Sequence, residues 1–113
     1  MALFHVEDGT LIIGDRKIDF PLPVAEAIVV GDEIIVRVEP PSGTVFNRNV
    51  FALTKRGAKL WQIQESPHGT YSDKPYVGVH LDAEGRLVAS NWNGVDYIVD
   101  GFSGTVTAKA FNK

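Results

Sequence analysis

"GRLVASNWNGVDYIVDGFSGTVTAKAF", Gly85 to Phe111, decides the fold. Asn93-Gly94 supplies the residue types that tolerate positive φ at both corners of a type I′ hairpin turn. On either side of it stand runs rich in Val, Ile, Leu and Tyr, and Gly101 to Gly104 closes a second, longer turn. In "YIVD" the side of the strand changes with every residue, so that Tyr97 stands with Val99. The stretch predicts three short antiparallel strands.

The same grammar continues upstream. Asp8-Gly9 is a further type I′ signal, and Gly14-Asp15 and Gly31-Asp32 suit type II′ turns. Lys55 to Gly57 and Ala83 to Gly85 fit three-residue turns that end in a left-handed Gly. Strands are predicted near 3–7, 10–13, 16–20, 24–30, 33–39, 49–54, 59–65, 76–82, 86–92, 95–100 and 105–111. In "IIVRVEP", Ile34, Val36 and Val38 share one face, with Ile35, Arg37 and Glu39 opposite. That alternation points to strands with one face on the core and one toward water. A short helix from Pro23 is the competing reading of 23–30, opposed by Val24, Ile28, Val29 and Val30.

A chain of 113 residues predicts a single domain over 1–113. It contains no cysteine, which excludes disulfides, thiolate metal sites and a cysteine nucleophile. The net charge of -3 argues against nucleic-acid binding, because such proteins concentrate basic charge on one face. The densest positive run, Lys55 to Lys59, reads as a solvated hairpin tip. No apolar run is long enough for a membrane-spanning helix. The start of the chain lacks the features of a signal peptide, and with the absence of cysteine this gives a cytoplasmic expectation.

Two stretches resemble each other, about 30–64 and 76–111. Each has a Gly turn, an apolar strand, a strand of aromatic-apolar-apolar-polar form ("FALT", "YIVD"), a second Gly turn and a last strand. Phe51 pairs with Tyr97, and Gly57 with Gly104. At "NVFALTKRGAKLWQI" the chain resembles the inner-strand repeat of quinoprotein-type β-propellers, through Phe51, Ala52, Leu53, Gly57, Leu60 and Trp61. Thr54 stands where that pattern has Asp, and the C-terminal copy lacks the Trp equivalent to Trp61, with Ala108 near its place. The resemblance implies blade-like sheets. It carries over neither the quinone cofactor, whose site needs a complete ring, nor a metal site. The pattern is also similar to that of small bacterial all-β proteins, a likeness that implies no activity.

A propeller needs at least four blades, and this chain holds about two and a half. The expected fold is therefore all-β: a hairpin meander of ten or eleven short strands in two blade-like sheets, with little or no helix. The sheets must form a sandwich or partly closed barrel, or be completed by further copies of the chain, because a lone blade cannot cover its apolar faces. Pro21, Pro23, Pro40 and Pro41 sit where they would blunt strand edges.

Three features stand out for chemistry. The loop "ESPHGTYSDKPY", Glu65 to Tyr76, holds Ser66, His68, Tyr71, Ser72, Asp73 and Tyr76. Ser, His and Asp so close in sequence argue against a triad, whose members come from separate elements. A mobile or binding loop is the expectation. Among His5, His68 and His80, the last lies two residues before Asp82, a spacing open to a general-base pair or to a plain solvent-facing strand. In "SNWNG", Asn91, Trp92 and Asn93 read either as parts of a binding site or as strand cap, core anchor and turn. The residues taken forward as a binding set are His68, Tyr71, Asp73, Tyr76, Asn91 and Trp92. No catalytic residue, metal ligand or cofactor is assigned. The expected role is a non-catalytic module for a protein or peptide partner. The alternatives are a structural subunit that oligomerises through sheet edges, and a small-ligand barrel or enzyme with His80 and Asp82 at its pocket.

Overall fold

The computed structural model describes residues 3–111, so residues 1, 2, 112 and 113 of the domain expected over 1–113 lie outside it. Eleven strands follow one another: β1 Phe4–Glu7, β2 Thr10–Ile13, β3 Arg16–Ile18, β4 Val24–Val30, β5 Glu33–Val38, β6 Val50–Thr54, β7 Lys59–Gln62, β8 Tyr76–Leu81, β9 Leu87–Asn91, β10 Val95–Val99 and β11 Val106–Phe111. Among the described residues there is no helix, and 24–30 is a strand. Every pairing is antiparallel between neighbours in sequence. Turns lie where they were predicted. Asp8 and Gly9 have the two positive φ values of a type I′ turn, 51° and 76°. At Asn93-Gly94 only Gly94 is left-handed, at 88°, so the type I′ expectation there is corrected.

The expectation of two sheets is corrected to three: β1-β2-β3, β4-β5-β6-β7 and β8-β9-β10-β11, none closed into a barrel. The first three strands are long enough only for a small sheet of their own, which covers the next one. One core cluster joins Leu11 and Ile13 of the first sheet to Ile34, Val36, Val38, Phe51 and Leu53 of the second. Another joins Ile35, Val50, Ala52, Trp61 and Ile63 to Tyr76, Val79, Leu87, Ala89, Val95, Tyr97 and Val99 around the third. The layers therefore stack with the second sheet in the middle.

This position overturns the half-buried reading of β5. Ile34, Val36 and Val38 face the first sheet while Ile35 faces the third, and all four are fully buried. Burial on both faces explains the near-continuous apolar runs "IIV" and "VFAL". Each such Ile or Val side chain contributes about 1.5–3 kcal/mol over exposure. Arg37 is buried as well, but its guanidinium is paired, with Glu26 and Glu39 each at 2.6 Å.

Register rows show how the layers meet. Ile28, Ile35, Ala52 and Trp61 lie side by side across the second sheet, and Val79, Ala89, Tyr97 and Ala108 across the third. Two turn glycines seat the layers. A Cβ on Gly57, in the β6–β7 turn, would lie 2.6 Å from Ile18 of the first sheet. One on Gly104, in the β10–β11 turn, would lie 2.6 Å from the Trp61 ring of the second. Both have positive φ. Trp61 also donates its indole N–H to the Gly101 carbonyl at 2.9 Å.

Candidate functional site

Three connections meet beside the junction of the second and third sheets: 39–49 after β5, 63–75 after β7, and 92–94 after β9. They enclose a cleft of about 350 Å³ lined by Pro40, Pro41, Ser42, Gly43, Thr44, Tyr71, Ser72, Asp73, Pro75 and Trp92. Tyr71 and Trp92 are 61% and 55% exposed. Their rings meet edge to face, with centroids 5.3 Å apart and planes at 87°. Trp92 is thus not a core anchor, one of its two readings from sequence; Trp61 has that place, at 9% exposure. The residue alternation around Trp92 accounts for this. Asn91 and Asn93 turn inward, so the residue between them turns out.

Below the cleft lies a polar lattice built on two N-x-N segments, Asn47-Arg48-Asn49 and Asn91-Trp92-Asn93. All four asparagines are buried. Asn49 donates to the Val38 and Tyr76 carbonyls (2.9 and 2.8 Å) and accepts from the Tyr76 N–H, joining the second sheet to the start of β8. Asn47 donates to the Ser72 carbonyl at 2.6 Å and accepts from the Lys74 N–H. Asn91 donates to the Lys74 carbonyl, and the Trp92 N–H reaches the Pro75 carbonyl at 3.0 Å. These bonds clamp 72–76 from both sides. They hold the wall of the cleft formed by Ser72, Asp73 and Pro75, the part of the 65–76 loop expected to be mobile or binding that is tied down here.

His68, Tyr76 and Asn91, expected in a binding set, belong to this lattice and do not line the cleft. The Tyr97 hydroxyl bonds Ser66 Oγ and lies 2.9 Å from His68 Nδ1. Asn93 Nδ2 donates to Ser66 Oγ and to the His68 carbonyl, and Lys74 Nζ donates to that same carbonyl. Tyr76 donates its hydroxyl to the Gln64 carbonyl at 2.8 Å. Burial first, then the neighbouring Tyr97 and Glu65, hold the Tyr76 phenol above its usual range, so it stays a donor. Among the described residues every buried side-chain polar atom has a partner. A lattice so satisfied holds its shape.

Tyr71, Asp73 and Trp92 are the expected residues that do converge. Ser72, Pro40, Pro41, Ser42, Gly43, Thr44 and Pro75 complete the lining and were not in the expected binding set; Pro40 and Pro41 read from sequence only as edge blockers. Asn47 and Asn49 were also missed, although the repeated N-x-N spacing was visible. The proposed pairing of His80 with Asp82 is absent. Asp82 binds the backbone N–H groups of Glu84 and Arg86, the Arg86 guanidinium and Lys109 Nζ, while His80 is exposed. His5 lies 3.5 Å from Glu7. Among the described residues no three His, Asp or Glu side chains converge on one point.

No curated protein and no solved structure matches the chain. A family model does match, over residues 1–111, and on that extent the chain belongs to the family described as Domain of unknown function (DUF7957).

Proposed function

We propose that the protein is a non-catalytic binding module, and that the Tyr71–Trp92 cleft receives an extended segment of a protein partner. The observation that carries this reading is the pair of large exposed rings, in contact with each other, beside a wall, Ser72 to Pro75, held by a buried lattice. Trp and Tyr dominate the energetics of protein interfaces, most of all where their surroundings are already rigid. A cleft of about 350 Å³ is at the small end of ligand sites, which suits one or two side chains of a peptide. Ser66, His68, Tyr97 and Asp82 do not line the cleft, which favours binding over catalysis there. We further propose that the sheets are blade-like repeats, each closing the face of its predecessor.

A displayed library of short random peptides, panned on the purified protein, tests the site. Trp92→Ala and Tyr71→Ala are expected to weaken selected peptides by about 2 kcal/mol or more. Both side chains are exposed, so the melting temperature is expected to stay within a degree or two. Undiminished binding by both variants would place the site elsewhere.

A further inference from the structure

The cleft has one charged lining residue, Asp73. Among the described residues its carboxylate makes no hydrogen bond or ion pair, unlike the buried Lys74 beside it. Three lining residues are prolines, which keep a carbonyl but have no N–H to offer. Four others, Ser42, Thr44, Tyr71 and Ser72, bring hydroxyl groups, which accept as well as donate. The lining thus carries one negative charge and no positive one, so that a cation is favoured over an anion. The two rings add the second half of the argument. Planes at 87° form a corner, and among the described residues no cation covers either ring, the cation–ring contact there being Lys59 over Phe20. Aromatic faces with a nearby carboxylate attract ammonium and guanidinium groups.

Resting on the cleft reading above, we propose that the group bound there is the basic side chain, Arg or Lys, of the partner polypeptide. Its cation lies against Tyr71 and Trp92 and pairs with the Asp73 carboxylate. The partner segment is basic, as the net charge of -3 also favours for encounter.

The test is selection from the same random peptide library on four proteins: wild type, Asp73→Asn, Asp73→Lys and Trp92→Ala. Wild type is expected to enrich Arg and Lys, Asp73→Asn to bind the selected peptides about tenfold more weakly, and Asp73→Lys to lose the basic preference. Asp73 is exposed, so neither change touches the core, and circular dichroism confirms the fold. A wild-type selection without Arg or Lys enrichment, or a basic preference kept by Asp73→Lys, overturns the cation assignment. If Trp92→Ala still abolishes binding in that case, the cleft itself stands. A wild type that selects nothing, or peptides equally held by Trp92→Ala, overturns both.

Discussion

Tyr97 shows how much one hydroxyl organises. It sits fully buried in the row that faces the second sheet, and its oxygen serves Ser66, His68 and Asn93. Tyr97→Phe keeps the ring and removes that oxygen, leaving buried polar atoms with fewer partners. A loss of about 1–3 kcal/mol in urea denaturation is expected, with the loop from Ser66 to Lys74 loosened. An unchanged midpoint would show that the lattice does not hold the loop. Sequence alone placed Tyr97 on a strand with Val99 but could not reveal Ser66 and His68 as its partners, which lie about 30 positions away. Likewise the inward turn of Asn91 and Asn93 exposes Trp92, although a Trp between apolar strands reads more naturally as core.

The strands were legible because each is local: turn residues mark their ends and alternation marks their faces. What eluded the pattern is what a strand faces and where it breaks step. Tyr76 and Val79 are three apart and should point to opposite faces, yet both are buried against the second sheet. The register shift between Tyr76 and Gly78 reconciles them, and a bulge of this kind leaves no mark in alternation. The β8–β9 hairpin also contains a strong titration effect. The Arg86 backbone N–H, then Lys109, the Arg86 side chain and the Glu84 N–H outweigh desolvation and hold the Asp82 carboxyl well below its ordinary 3.8. A folded pKa below the unfolded one gives stability that is present above the ordinary value and is lost as pH falls below it. Asp82→Asn is therefore expected to melt below wild type at neutral pH. The gap should narrow as pH drops under 3.8. A gap independent of pH would mean that the carboxylate charge is not what ties the hairpin.

At the scale of the molecule, the stack of three sheets brings together what sequence scatters. The number of layers was not readable, because strands buried on one face and on two differ only by the polar residues a middle sheet lacks. Pro40, Tyr71, Asp73 and Trp92 belong to three connections, and only the packing of the third sheet on the second makes them neighbours. The stack also separates the two tryptophans: Trp61 between layers, Trp92 in the open cleft. Indole emission can therefore report on the cleft directly. The most direct measurement is a fluorescence titration of wild type and Trp92→Phe with a basic peptide selected on the wild type. Occupancy of the cleft predicts a saturable change in emission, shifted toward the blue as water leaves Trp92, and no such change in Trp92→Phe. The same emission change in both proteins, or peptide binding that leaves wild-type emission untouched, would contradict the account.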